Sequence, residues 1–299
     1  MRWLHRFAWC VAASTLLLIA AGGMVTSTNS GLSVPDWPNT YGRFMFSFPM
    51  KDMVGGILYE HGHRMIASTV GFLTIILAVW LWKVDPRRWM RRLGAVALAA
   101  VIVQGVLGGI TVLYFLPAPV SVAHAGLAEI FFCLTVAIAV FTSPRWINAP
   151  AVPAGDGTLR ALAGVTTSLV FVQILLGATM RHTGAGLAIP DFPLAFGRLV
   201  PHVWNMGVAI HYAHRVGAVI VSLLVLALAG HVVYHHRGRR ELTRPAALLL
   251  LLVAAQVTLG AFVILSGKQP IINTAHVANG ALVLVTSLVL TLHAARASA

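Results

Sequence analysis

Four histidines lie inside long apolar segments at repeated positions, and they are the residues of this sequence best suited to chemistry. Each lies about five to eight residues inside the predicted outer end of its segment, or roughly 8–12 Å along a helix. One histidine in such a place often only joins two helices through a hydrogen bond. Four at matched depth indicate function, because polar groups are costly in a membrane. The four are His63, His124, His214 and His276.

Two histidines from facing helices of a four-helix bundle suit the two axial positions of a haem iron. Zinc would require three or four ligands close together, and no cysteine or carboxylate completes such a set in the second half of the chain. The sequence therefore predicts two haem sites with axial histidine ligands. One is formed by His63 and His124, and the other by His214 and His276.

An acid distinguishes the first of these sites from the second. Glu60 precedes His63 by three residues, so both lie on one face of a helix. The second half has His211 at the matching position. A carboxyl group beside a haem can carry protons at a reacting atom. We therefore predict that Glu60 is catalytic and that the first site is the reactive one; the alternative is a solvated acid at the membrane interface.

An arginine directly follows one histidine of each pair, as Arg64 and Arg215. A guanidinium group near the outer water can bind a haem propionate through two parallel hydrogen bonds. We expect these arginines to bind propionates. The alternative is that their side chains extend along the helix to lipid phosphates.

The elements that must position these residues are membrane-spanning helices. Of 299 residues, 58% are hydrophobic and 10% are charged, which is outside the range of soluble domains. Eight apolar segments are long enough to cross a bilayer. We therefore predict an all-α integral membrane protein. The segments are 7–27, 57–81, 93–114, 120–142, 159–181, 206–234, 246–266 and 271–293.

The distribution of positive charge predicts the orientation. The net charge is +13, and most lysines and arginines fall in the segments on one side of the predicted spans. By the positive-inside rule both termini are cytoplasmic, and the haem sites lie toward the outer face. The basic clusters are explained as topology anchors, so no nucleic-acid partner is expected. Cys10 and Cys133 lie within spans, so no disulfide is expected.

The chain contains an internal repeat. The segment 29–43 matches 184–198, including a shared Gly-Leu-x-x-Pro-Asp-x-Pro pattern. We therefore predict two pseudo-symmetric four-helix bundles, residues 1–148 and 149–299, arranged as parallel repeats and joined by a linker over 143–158. The first span has a counterpart in the second half, so we expect it to be retained rather than cleaved as a signal peptide.

Two smaller features also repeat. The aspartates of the pattern, Asp36 and Asp191, are expected to cap a turn, with a role at the porphyrin edge as the alternative. The motif Gln-x-x-Leu-Gly occurs three times near outer helix ends and is interpreted as helix packing.

Taken together, the two halves, the EHGHR stretch, the repeated histidines and the GLSVPDWP loop resemble the haem A synthase family over nearly the whole chain. The resemblance implies an oxidoreductase that oxidises the C8 methyl group of haem O to a formyl group, giving haem A for terminal oxidases. It implies substrate haem in the first half near His63 and His124, with Glu60 as the essential acid. It implies a haem B cofactor in the second half between His214 and His276.

The resemblance also implies a haem O synthase in the same membrane. We further expect the inner membrane of a bacterium and an electron-transfer partner whose identity the sequence does not give, and a homo-oligomer stays open. The sequence departs from the family in one respect. Many members carry cysteine pairs in the outer loops, whereas residues 28–56 and 182–205 contain none. A thiol relay is therefore not available to this chain.

Two other functions are compatible with the residues alone. A di-haem cytochrome b-like quinol oxidoreductase would have two equivalent bis-histidine haems and no need of Glu60. A transporter with a histidine proton relay would bind no haem, and the position of the histidines near the outer helix ends disfavours it.

Overall fold

A computed structural model describes residues 2–148 and 156–296, and it is helical throughout its regular elements. Eight of the described helices are long and apolar enough to cross a membrane. The predicted all-α class and the eight spans are confirmed. In chain order the helices are α1 Arg2–Ser27, α2 Gly56–Val84, α3 Arg88–Leu113, α4 Ala118–Phe141, the short α5 Pro144–Ile147, α6 Gly157–His182, α7 Met206–His235, α8 Arg240–Leu265 and α9 Pro270–Arg296.

The chain divides into two compact units, Met1–Asn148 and Ala149–Ala299. In the first unit α1 packs on α2 and α4, and α3 packs on the same two helices. Each of these four helices therefore has two neighbours, and α2 lies diagonally opposite α4. The second unit repeats this arrangement, with α7 diagonally opposite α9. In each unit the diagonal helices are the ones that carry the predicted histidine ligands.

The two ends of the first unit are filled differently. Its buried apolar core combines the start of α1, the end of α2, the start of α3 and the end of α4. We call this the basic end, because most lysines and arginines lie there. The other end, the loop end, carries the long connection 28–55 and the predicted histidine ligands. Core packing thus holds the helices at one end while polar groups occupy the other. The core residues are Leu4, Ala8, Val11, Val70, Leu77, Leu81, Met90, Ala97, Phe131, Ile138 and Ala139.

Two boundaries differ from the sequence-based expectation. Helix α8 begins at Arg240, so Pro245 lies inside it rather than before it. A proline this close to a helix start removes a hydrogen bond from the first turns only, where few have formed. The predicted linker 143–158 includes α5 and the residue that caps α6, whereas residues 149–155 lie outside the described ranges.

Candidate functional site

Each of the four histidines packs against a glycine of the preceding helix. In the first unit, a Cβ atom placed on Gly22 of α1 would lie 3.0 Å from Cε1 of His63 on α2. A Cβ atom on Gly108 of α3 would lie 3.2 Å from Cε1 of His124 on α4. Separations this short require a side chain to move. A glycine at these two positions therefore provides the room that the imidazole occupies.

Gln104 holds the second of these histidines from the same supporting helix. Its Nε2 atom donates to the backbone carbonyl of His124 at 2.9 Å and lies 3.4 Å from the Nε2 atom of the ring. Gln104 and Gly108 are four residues apart, so they share one face of α3. The Gln-x-x-Leu-Gly motif is thus a histidine support as well as a packing surface.

The second unit repeats the support at His214. A Cβ atom on Gly177 of α6 would lie 2.9 Å from Cε1 of His214 on α7. Gln173 donates through Nε2 to the carbonyl of His214 at 2.7 Å and lies 3.1 Å from Nδ1 of the ring. The motif therefore serves the same purpose on α6 as on α3.

His276 on α9 is held in the same way by α8. A Cβ atom on Gly260 would lie 3.2 Å from its Cε1 atom, and Gln256 donates to its carbonyl at 3.0 Å. Asn279 donates in turn to Oε1 of Gln256 at 2.7 Å, which fixes the amide. In the first unit the counterpart of these glutamines on α1 is Leu18, so His63 has a glycine support without an amide.

These arrangements fit a haem between the diagonal helices of each unit. All four imidazoles are only partly buried although they lie within spans. Among the described residues, Nδ1 of His63 and Nδ1 of His276 are buried without a hydrogen-bond partner. Imidazole is a common haem ligand, and two imidazoles on opposite helices of one bundle suit one iron. The donor set and the glycine supports therefore match the predicted group.

Glu60 lies at the base of the long loop of the first unit. It is 4% exposed, its Oε2 atom accepts a hydrogen bond from the backbone N–H of Val34 at 2.9 Å, and its Oε1 atom accepts one from Arg64 at 2.7 Å. Both carboxylate oxygens are therefore engaged. The acid fastens the loop to α2 one turn from His63, at the loop end of the bundle.

Arg64 completes this fastening. Its two terminal nitrogens donate to the carbonyls of Asp36, Asn39 and Val34 at 2.7, 3.0 and 2.9 Å, and to Glu60. All four terminal N–H groups are thus used within the protein. A two-point contact to a propionate would require at least one of these hydrogen bonds to break, so the arginine positions the loop in this structure.

The second unit fastens its loop at the equivalent points. Arg215 donates to the carbonyls of Ile189, Asp191 and Leu194 at 3.2, 2.6 and 2.7 Å. His211 is 2% exposed and its Nδ1 atom accepts the N–H of Ile189 at 3.3 Å. A histidine here takes the structural place of Glu60, and its ring is committed to the loop rather than to a ligand.

The repeated aspartates cap a tight turn, as predicted. Asp36 accepts hydrogen bonds from the N–H groups of Tyr41 and Gly42 at 2.8 and 2.7 Å. Asp191 accepts them from Phe196 and Gly197, both at 2.8 Å. The second turn residue is a glycine with positive φ in both loops, 72° and 73°.

These hydrogen bonds also affect the acidity of the two aspartates. Burial raises the pKa of Asp36, but the hydrogen bonds from Gly42 and Tyr41 outweigh it, so the pKa lies below its usual value. For Asp191 the N–H groups of Gly197 and Phe196 lower the pKa. Both caps are therefore ionised at neutral pH.

His61, the first histidine of EHGHR, also contacts the loop. It is buried, its Nδ1 atom lies 3.0 Å from the hydroxyl of Thr40, and its ring lies 5.1 Å from that of Phe48. These contacts commit His61 to the loop rather than to a ligand. Tyr212 takes its place in the second unit and donates to the carbonyl of Leu199 at 3.3 Å.

Sequence reasoning missed one acid in the first unit. Glu129 lies within α4, five residues beyond His124, and is 4% exposed. Its Oε2 atom is buried without a hydrogen-bond partner among the described residues. The matching position in the second half is Ala281. The sequence alone could have identified Glu129, since an acid within a membrane span is a functional candidate by default.

The chain is similar to known proteins over most of its length. Residues 5–289 match the family of cytochrome oxidase assembly proteins, COX15-CtaA. A protein of Symbiobacterium thermophilum called "Heme A synthase" is 33% identical over 87% of this chain and 85% of its own length. Proteins of the same name from Shouchella clausii and Geobacillus kaustophilus are 30% and 28% identical. These matches cover 88% and 92% of this chain, and 87% and 86% of those proteins.

Proposed function

The chain belongs to the family of cytochrome oxidase assembly proteins, and from this membership we propose that it is a haem A synthase. It is a multi-pass membrane protein and an oxidoreductase that converts haem O to haem A for terminal oxidases. The observation that supports this most directly is the pair of histidines on diagonal helices of each unit, each ring resting against a glycine.

We assign the substrate to the first unit. His63 and His124 would hold the iron of haem O, and a haem iron supplies the one-electron chemistry of the oxidation. Conversion of a methyl group to a formyl group replaces two C–H bonds by a C=O bond; with water as the source of the oxygen atom, each conversion releases four protons and four electrons, two of each per oxidation step. Glu60 is the acid nearest these ligands along α2, and its carboxylate can receive a proton once Arg64 or Val34 releases it.

We assign the resident cofactor, haem B, to the second unit, with His214 and His276 as axial ligands. The glutamine supports favour a permanent site here, because both ligand helices are fixed through amide hydrogen bonds. At the matching positions, His211 replaces the acid and Ala281 replaces Glu129. A site without a nearby acid suits electron transfer better than chemistry at a carbon.

For the two arginines we propose that loop positioning replaces propionate binding as the main role. Arg64 and Arg215 each hold three carbonyls of their loop. These hydrogen bonds keep each loop over the histidine ligands of its unit and restrict the access of water to those ligands. A propionate can still approach the edge of the guanidinium group that carries Nε.

The remaining assignments follow from charge and from the chemistry of the substrate. We propose a bacterial inner membrane location with cytoplasmic termini, which places both haem sites toward the outer face. Haem O is apolar and would enter from the bilayer, so a haem O synthase in the same membrane is the natural supplier. An electron-transfer partner must accept the electrons that leave the methyl carbon, and a homo-oligomer is compatible with this scheme.

The test is production of haem A in a host that makes haem O but no haem A. Membranes from cells expressing the chain should contain haem A or its alcohol intermediate after extraction and chromatography. His214→Ala and His276→Ala should lose the low-spin spectrum of the purified protein. Absence of both products from a well-expressed, haem-containing protein would refute the activity. A normal low-spin spectrum in both variants would refute the cofactor site.

A further inference from the structure

A second cluster of ligand atoms lies in the second unit where α6 begins and α7 ends, far along α7 from His214. Asp156 caps the start of α6, and His231 and His236 lie at the end of α7. Nε2 of His231 is 2.5 Å from Oδ2 of Asp156, and Nε2 of His236 is 3.1 Å from the same oxygen. These three atoms all lie within 4.8 Å of one another.

The local fold brings the three side chains together. Oδ1 of Asp156 accepts the N–H of Leu159 at 3.0 Å, which caps α6 and leaves Oδ2 for the histidines. Helix α7 ends at His235, and His236 leaves the helix with φ −134° and ψ 28°. Residues five apart do not share a helix face, so this departure is what directs His236 toward the side chain of His231.

We propose that Asp156, His231 and His236 form a binding site for a divalent transition-metal ion of the zinc type. Two imidazole nitrogens and one carboxylate oxygen are ligands that Zn²⁺ favours, and a site with three protein ligands leaves a position for water. Tetrahedral ligands at zinc distances lie roughly 3.3 Å apart, which small side-chain rotations reach from the present separations.

Access and charge are both suited to an ion. The side chains of the two histidines are each 15% exposed and that of Asp156 is 24% exposed, so the cluster is reachable from solvent yet sheltered. Asp156 contributes the negative charge and the cap on α6 orients it. An ion here would join the start of α6 to the end of α7, two neighbouring helices of one bundle. This site is independent of the haem assignments.

The chain offers a matched control at the same helix end. His235 is exposed, and its ring centroid lies 4.5 Å from that of His231, yet it is not one of the three converging groups. His235→Ala removes an imidazole from the same surface without removing a ligand. Asp156→Asn preserves the shape of the side chain and an acceptor for the helix cap, but removes the charge.

The experiment uses the purified full-length protein without a polyhistidine tag, stripped with a chelator and titrated with Zn²⁺ against a competing indicator. Elemental analysis after gel filtration counts zinc separately from haem iron. We expect the wild-type protein and His235→Ala to bind one zinc ion per chain, and Asp156→Asn, His231→Ala and His236→Ala to bind it at least about tenfold more weakly. Zn²⁺ should raise the melting temperature of the wild type but not of Asp156→Asn.

Two results would overturn the proposal. One is a wild-type protein that retains no zinc after gel filtration. The other is equal zinc binding by wild type, Asp156→Asn and the two ligand variants. If an alanine variant is not monodisperse, the comparison of zinc binding between the wild type and the near-isosteric Asp156→Asn variant tests the proposal. Tetrahedral Co²⁺ absorption in the wild type, and its loss in Asp156→Asn, provides a second measurement.

Discussion

The two units fasten their long loops at the same points but with different chemistry. In the first, the carboxylate of Glu60 accepts the N–H of Val34; in the second, the ring of His211 accepts that of Ile189. A neutral histidine is therefore sufficient for the structural role. An acid at position 60 is not required to hold a loop, and this is why the difference between the units supports a chemical role for Glu60.

The supports of the histidines differ as well. Three of the four rings have both a glycine and a glutamine on the neighbouring helix, whereas His63 has Gly22 and Leu18. The ligand set of the first unit is therefore less constrained. A substrate must enter and leave, while a cofactor stays, so the looser set is expected where the substrate binds.

The largest effect should come from exchanging the acid for its counterpart. Glu60→His should retain the loop, because His211 holds the equivalent N–H, but lower haem A production by about 100-fold or more, since a positioned acid or base contributes about 10²–10⁴. Haem analysis of membranes measures the product, and the pattern of tryptic cleavage after the exposed residues Arg43 and Lys51 reports on the loop. Production at the wild-type rate would remove Glu60 from the chemistry.

The next effect should come from filling a glycine support. Gly177→Val places a side chain within 2.9 Å of His214 and should reduce retained haem in the second unit about tenfold, given overpacking costs of about 1–3 kcal/mol. Gly164→Val on the same helix is the control, because a Cβ atom there meets nothing within 4 Å. The haem-to-protein ratio of the purified variants measures the difference, and equal ratios would contradict the support role.

A smaller effect is expected from making the supports alike. Gln173→Leu gives His214 the support that His63 has, and it should weaken haem retention by about 0.6 kcal/mol, the average for one hydrogen bond between membrane helices. The temperature at which the low-spin spectrum is lost measures this change. The reverse exchange, Leu18→Gln, should make the first site hold its haem more tightly. Unchanged haem retention in both variants would show that the amide hydrogen bonds do not contribute to it.

The smallest effect should be the same in both units. Asp36→Asn and Asp191→Asn each leave one oxygen to accept two backbone N–H groups, so each loop turn should loosen slightly without loss of haem. Comparison of the two melting temperatures tests whether the loops are equivalent. A large loss of haem A production in Asp36→Asn alone would show that this turn has a further role in the first unit.

Much of the architecture is determined by the sequence itself. The eight helices follow from apolar length, because a bilayer leaves only helices as stable spans of this kind. The internal repeat identifies the histidines at matched depth. His63 has a histidine counterpart in the second half, His214, whereas the counterpart of His61 is Tyr212. The turn at Asp36 is also local, since its cap joins residues five and six positions apart.

Only the tertiary structure decides which hydrogen-bond partners the side chains of different helices and loops have. The sequence predicts that Arg64 binds a propionate, but it does not show that Arg64 also donates to three loop carbonyls and to Glu60. Nothing in the sequence pairs His231 or His236 with Asp156, 75 and 80 residues away, whereas both side chains contact it in the structure. The physical reason is that periodicity and depth fix where a residue lies along its own helix. Which donor meets which acceptor depends on how separate helices and loops pack against each other.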